Sequence, residues 1–259
     1  MKRTLKLTGF SRPHRVRWFF TGDRENCLAA IRSKSLRKFL SQADEHMAAH
    51  GITWTFAPIT KETYLKWLPY YTEKMRELRH DVLAKPEWYD ERTADGKTVH
   101  GLFFYKENTM VGSGIITELN GTYTLAFKAS EFLSLSSQSN SSLGSLIDFI
   151  FIRTLCEKNV SVICGGRSYN AFGAETTLGY LEFKTNFYTP RFIADEEIFT
   201  TLPLPEDPAA SCACFVTRPS SPTELVLAVY TNSLTAEQVE KQYASPGIER
   251  VFLPYESSI

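Results

Sequence analysis

Apolar positions along the chain recur at two periods, and the changes between them mark the elements. Val16–Phe20 reads as a strand. Leu36, Phe39, Leu40, Ala43 and Met47 repeat at helical spacing, in a segment that Ser33 or Ser35 starts and Gly51 ends. Ile52–Ala57 alternates as a strand closed by Pro58. A second helix opens at Thr60 and carries Tyr64, Leu65, Trp67, Leu68, Tyr71, Met75 and Leu78. Pro69 is expected to kink or split it, because proline brings no N–H and crowds the preceding turn. Arg79–Lys97 is polar and reads as a loop with one helical turn. Strand-like runs at Val99–Tyr105, Met110–Glu118 and Tyr123–Ala129 form a meander, with Asn120-Gly121 supplying the positive φ angles of a type I′ turn.

The Ser-rich stretch Ser130–Ser142 reads as a loop. Leu143, Leu146, Ile147, Ile150, Phe151 and Leu155 then stripe a helix that Ser141 and Ser142 can cap and that stops near Lys158-Asn159. Val160–Cys164 is a short buried strand that Gly165-Gly166 is expected to close. A helix feeding a buried strand that ends in a polar turn is where α/β proteins place ligands, so Ser141–Pro190 is the stretch around which the chain is organised. Leu202-Pro203-Leu204-Pro205 reads as a linker. Beyond it come strands at Cys214–Val216 and Leu225–Tyr230, a helix Thr235–Tyr243 with a Thr235-x-x-Gln238 capping box, and a strand Val251–Leu253. The fold class is α/β (α+β): a mixed central sheet flanked by helices, with a small C-terminal β-β-α-β unit. The expected divisions are an N-terminal strand and basic segment (1–26), a main domain (27–200) and the C-terminal unit (201–259).

With 29 basic and 29 acidic side chains the formal charge is zero, which gives no general affinity for nucleic acid or membranes. The cluster Lys2, Arg3, Lys6, Arg12, Arg15 and Arg17 is expected to be a solvated face, the lesser alternative being a nucleic-acid or acidic-lipid contact with His14 and Trp18 nearby. The five cysteines form no C-x-x-C and fit buried thiols in a reducing compartment. Cys212-Ala-Cys214 has no His partner at zinc-ligand spacing, so no metal is expected; on a strand the two thiols would face the same side. No apolar run has the length of a membrane span, and the expected location is cytoplasmic.

The order helix, meander, polar loop, helix and strand resembles the GNAT acyltransferase fold. Two stretches narrow the resemblance to Fem-type aminoacyltransferases and their acetyltransferase-like relatives. One is SKSLRKFLSQADEHMAAHGITWTFAPIT with the helix that follows. The other is Gly179–Phe187, similar to a Gly-x-x-x-Phe-Lys-x-x-Phe-Gly ending, with Tyr188 in place of the last glycine. The resemblance covers about Cys27 to Arg191. It implies acyl-CoA or CoA as co-substrate, an acyl-thioester donor and an amine acceptor. The family's Gln/Arg-x-x-Gly-x-Gly/Ala phosphate loop would correspond to Gln138, Ser139, Asn140, Ser141, Ser142 and Gly144, with serines in place of glycines, and with Ala129 beside it. Aminoacyl transfer from tRNA is the alternative, although the helical arm that some Fem enzymes use for tRNA is absent. A non-catalytic protein of the same fold, binding a ligand or partner, is a third reading.

Acyl transfer needs a base for the amine, a donor for the oxyanion and an acid for the thiolate. Glu131, just past the third meander strand, is the candidate base or else a solvated loop acid. The resemblance implies Tyr169 as the acid; the bare reading is a packing aromatic. Arg167, Asn170, Lys184 and Trp88 are the candidate substrate contacts, Arg167 being equally suited to a surface ion pair. Cys164 has no placed His and reads as a buried thiol, and His80 and His100 flank the polar segment after the second helix.

Overall fold

The structure, a computed structural model, describes residues 3–135, 142–194, 196–207, 210–231, 235, 237–238 and 248–253. The chain divides into two compact units, one made of residues 1–18 with 167–259 and the other of residues 19–166. The division falls inside two strands, β3 (Arg15–Phe19) and β8 (Val162–Tyr169). A seven-stranded mixed sheet has the order β4-β5-β6-β7-β8-β3-β9.

The inner unit opens with α1 (Lys34–Leu40) and α2 (Ala43–Ala49). The single expected helix breaks between them, where the Ser41 hydroxyl donates back to the Lys38 carbonyl at 2.8 Å. Strand β4 (Ile52–Pro58) leads to α3 (Lys61–Glu77), capped by the Thr60 hydroxyl, which accepts from the Thr63 N–H. Of the two outcomes expected at Pro69, a kink or a split, the split does not occur: α3 runs unbroken from Lys61 to Glu77. The carbonyl Pro69 leaves without a donor belongs to Leu65, a residue 39 % exposed, so water can serve it, while Tyr64, Trp67, Tyr71 and Met75 bury the other face. After α4 (Trp88–Ala94) come β5 (Thr98–Lys106), β6 (Thr109–Leu119) and β7 (Thr122–Ser130) as an antiparallel meander. Asn120 and Gly121 take φ of 50° and 73°, the pair a type I′ turn requires. Helix α5 (Leu143–Glu157) follows, capped by Ser142, and returns the chain to β8, parallel to β7.

Strand β6 shows how the layers assemble. The Ser113 hydroxyl accepts from the Trp67 indole N–H of α3 at 2.9 Å. At Gly112, one position away and therefore on the opposite face, a Cβ would meet Ile147 of α5 at 2.9 Å. The sheet thus carries α3 on one face and α5 on the other, and glycine permits the close approach of α5.

The expectation that Gly165-Gly166 would close the central strand is corrected: β8 runs through both glycines to Tyr169. Gly166 holds φ +91°, and a Cβ there would stand 2.7 Å from the Leu125 carbonyl oxygen. The glycines serve a close backbone approach inside a strand, not a turn.

In the other unit, β1 (Thr4–Lys6) pairs with β11 (Thr201–Pro203), and β2 (Arg12–Pro13) with β10 (Ile198–Phe199). The stretch read as a linker is therefore a strand, with Leu202 fully buried. The unit also holds α6 (Leu178–Phe187), β9 (Thr189–Arg191) and a separate sheet of β12 (Cys212–Arg218), β13 (Ser221–Tyr230) and β14 (Arg250–Leu253). Cys212 and Cys214 enter one apolar cluster together, as strand alternation requires. The Thr235–Gln238 capping box is formed in both directions, although most of the helix expected there lies outside the described residues. Arg12 is not solvated: it is 3 % exposed and donates to the carbonyls of Thr201 and Asn170. None of the described helices is long and apolar enough to cross a membrane.

Gly166→Ala is expected to destabilise the protein by about 1–3 kcal/mol, through strain at positive φ and the approach to Leu125. Gly144→Ala, whose nearest neighbour would be Ser130 at 3.6 Å, should change stability little. Urea midpoints of the two variants check the contrast.

Candidate functional site

In the inner unit the parallel pairing of β7 with β8 covers Thr122–Thr124 against Val162–Cys164 and goes no further. Ile115 pairs with Phe127 and Ile116 with Leu125, so the register shift leaves Ala126 as the extra residue of a bulge that bends β7. From Leu125 to Ser130 the registered partner of β7 is β6 alone. This leaves one edge of that half-strand outside the β7–β8 ladder.

The side chains of this half-strand alternate across the sheet. Lys128 points to α5, where its ammonium donates to Asp148 Oδ2 at 2.5 Å and to the Gly144 carbonyl at 3.3 Å. Asp148 is fully buried one turn inside α5, next to Ile147 and Phe149, so a cation in contact is what allows it to sit there ionised. Ala129 points the other way and packs in the cluster of Tyr64, Trp67, Tyr71 and Phe103. Ser142 is engaged in capping: its Oγ accepts from the Ser145 N–H at 3.2 Å. The ends of the polar loop are tied together by the Leu143 N–H, which donates to the Leu133 carbonyl. Gln138, Ser139, Asn140 and Ser141 lie outside the described residues.

Glu131 stands at the end of β7, and its carboxylate accepts from Lys74 of α3 at 2.9 Å. Lys74 also pairs with Glu77 at 2.9 Å. These two carboxylates, Glu131 first, hold the Lys74 ammonium above the ordinary lysine range against the opposing effect of burial. The nearby Tyr70 hydroxyl is buried without a well-formed hydrogen bond. Burial first, and then the charges of Glu131 and Glu77, raise its pKa well above the ordinary phenol value. Trp88 stacks on Tyr64 with centroids 5.6 Å apart and meets Phe127 edge-on at 4.9 Å, extending the aromatic layer to β7. His100, 8 % exposed, stacks on Phe56 and meets Tyr123 while both ring nitrogens lack a hydrogen-bond partner. His80 is exposed.

The remaining sequence-derived candidates belong to the other unit. Tyr169 is 39 % exposed; its hydroxyl accepts from Arg15 at 3.3 Å and the Arg15 guanidinium lies 4.8 Å from its ring centre. Arg167 is exposed on the same strand face as Tyr169. The Asn170 amide is committed to the fold: it donates to the carbonyls of Pro13 and Phe215 and accepts from the Phe215 N–H. Lys184 is 3 % exposed and lies over the rings of Tyr180, Phe183 and Tyr188. The structure therefore brings Glu131, Ala129, Ser142, Gly144 and Trp88 into one unit and Tyr169, Arg167, Asn170 and Lys184 into the other. Sequence reasoning missed Lys74 and the Lys128–Asp148 pair. One signal was available: Asp148 is the only acid between Leu143 and Cys156.

No family model matches the chain, and no curated protein does. Among solved structures it is similar to a conserved protein of unknown function from Bacteroides thetaiotaomicron VPI-5482, with TM-score 0.47, 14 % identity, 76 % of this chain and 61 % of that chain covered. It is also similar to the C-terminal DUF2156 domain of a protein provisionally named lysylphosphatidylglycerol synthetase, from Agrobacterium fabrum, with TM-score 0.40, 13 % identity, 76 % of this chain and 60 % of that chain covered. The chain spans about three-fifths of the length of each. Likenesses this distant carry no functional argument.

Two outcomes follow from the electrostatics. Lys128→Met strands the buried Asp148 carboxylate and should cost about 3–5 kcal/mol in urea unfolding. Burial holds the His100 pKa below its ordinary value, with Lys158 acting in the same direction and Glu118 against it. The folded state keeps the imidazole neutral while the unfolded chain takes up a proton below pH ~6.5. The stabilisation is thus complete above that pH and is lost as pH falls through the depressed folded value, with a slope of up to about 1.4 kcal/mol per pH unit. His100→Leu should flatten the change in unfolding midpoint between pH 7.5 and 5.5.

Proposed function

We propose that the protein is an N-acyltransferase that moves an acyl group directly from a thioester donor, CoA or a carrier protein, to the amine of a small molecule, amino acid or peptide. The observation that supports this reading is the half-strand Leu125–Ser130, whose edge is not paired with β8. An extended, amide-bearing thioester arm can add to such an edge as a strand would, and a β7 N–H beside the carbonyl can donate to the developing oxyanion. Glu131 ends that half-strand and takes the proton of the attacking amine, directly or through a water. Lys74 holds the carboxylate in place. Tyr169 and Arg167, the sequence-derived acid and substrate contact, belong to the other unit and are given no part in this step.

A second reading, aminoacyl transfer from tRNA, has one observation in its favour. Arg15 and Arg17 share the outward side of β3, and Arg167 and Tyr169 that of β8. The Arg15–Tyr169 contact places all four on one face, a combination that suits phosphates and stacked bases.

CoA at saturating concentration should raise the melting temperature. Thiol release from acetyl-CoA across a panel of amines should fall 10²–10⁴-fold in Glu131→Gln while the CoA-induced shift persists. CoA binding without turnover would point to a non-catalytic ligand-binding protein. Absence of any CoA shift, with a salt-sensitive tRNA complex weakened in Arg17→Ala and Arg167→Ala, would replace the first reading by the second.

A further inference from the structure

Strands β3 and β8 are neighbours in the large sheet. The Asn170 N–H donates to the His14 carbonyl at 3.0 Å and the Phe20 N–H to the Ile163 carbonyl at 3.0 Å, so the two strands run antiparallel. Counting from the first bond sets Arg15 opposite Tyr169 and Arg17 opposite Arg167. The contacts of Arg15 with the Tyr169 ring and hydroxyl agree with that register. Between the two bonds β8 has one residue more than β3, and Gly166, at φ +91°, suits the bulge. The alternate positions turn inward: Val16 and Trp18 are buried, and the Trp18 indole N–H donates to the Ser168 hydroxyl at 2.9 Å. Arg17 and Arg167 therefore stand side by side on the exposed face. Like charges directly opposite each other on a sheet repel and cost stability. Arg92, Arg153 and Arg218 each have a carboxylate partner. Among the described residues, Arg17 and Arg167 have no ion-pair or hydrogen-bond partner. β9, on the far side of β3, adds no acid: it consists of Thr189, a buried Pro190 and Arg191.

We propose that Arg17 and Arg167 form a clamp for the phosphate dianion of a small phosphomonoester. Cross-strand partners stand about 5 Å apart at Cβ, close enough for two guanidiniums to reach one phosphate, each through a pair of N–H donors. A monoester carries a charge of about −2 above pH ~6, which matches the two cations and removes their repulsion. The rigid sheet fixes the pair, so little order is lost when the anion enters. Arg15 takes no part in the clamp, because its guanidinium is engaged with Tyr169. The observations favour a monoester over a nucleic-acid strand. A strand offers its phosphates singly and in a row, and calls for a track of cations. The unpaired cations here are one facing pair, in a chain whose formal charge is zero. The face is the one that the aminoacyl-tRNA reading would give to RNA, and it receives a different occupant. The inference depends on neither reading of the reaction.

The test titrates the intact protein with methyl phosphate by calorimetry, with dimethyl phosphate as the singly charged control. The expected result is one saturable site for methyl phosphate, with dimethyl phosphate at least about tenfold weaker. Arg17→Gln and Arg167→Gln should each weaken methyl phosphate at least about tenfold, and Arg76→Gln, an exposed arginine of α3, should leave it unchanged. Without ligand and at low salt, each of the two clamp variants should unfold at a higher urea concentration than the wild type, since the repulsion is gone. That second measurement also shows that the variants fold. No binding of methyl phosphate at millimolar concentration would overturn the proposal. So would equal binding by the Arg17 and Arg167 variants. An unphosphorylated oligoribonucleotide that displaces methyl phosphate at far lower concentration would give the face to RNA instead.

Discussion

The inner unit depends on a buried carboxylate. Asp148 sits inside α5 with no exposure, on the face that packs against the sheet. Ionised in such a place, it requires a cation at contact distance. Lys128 supplies it from β7 and, by also donating to Gly144, fixes the register of the helix N-terminus against that strand. The alternation of β7 then dictates the rest. Lys128 toward α5 puts Ala129 under the aromatic layer of α3 and carries Glu131 to the Lys74 ammonium. One ion pair thus couples the two helical layers through a single strand.

What was legible in the sequence is what is locally determined. Asn120-Gly121, Thr60, Ser142 and the Thr235–Gln238 pair each satisfy backbone groups within three or four residues, so the chain itself carries the signal. The misreadings fall where distant partners decide. Gly165-Gly166 look like a turn until the Leu125 carbonyl is placed against Gly166. Leu202-Pro203 looks like a linker until Thr4–Lys6 pairs with it. Pro69 suggests a split until Tyr64, Trp67, Tyr71 and Met75 are packed against Ile115 and Ala129 of the sheet.

The candidate site was legible to the extent that residue type and strand end were enough. Glu131 was found because it follows a strand that alternation defines; its counter-ion Lys74 was not, because that pairing depends on how α3 crosses β7. Asn170 shows the opposite error. A polar residue after a central strand suggests a ligand contact, yet its side-chain and backbone amides join Pro13, His14 and Phe215 through four hydrogen bonds. Type and position do not distinguish the two uses; only the partners do.

The chain-order of the two units bears on how the polypeptide emerges from the ribosome. Residues 19–166 are contiguous, so their unit can fold as soon as they are free. The strand at Thr4–Lys6 is made well before its partner Thr201–Pro203, which follows about two hundred residues later. At synthesis rates of roughly 5–20 residues per second, that edge stays unpaired for about ten seconds or more. Its neighbours Lys2, Arg3 and Lys6 make it a charged strand during that interval, and charge on an exposed edge discourages association with other chains.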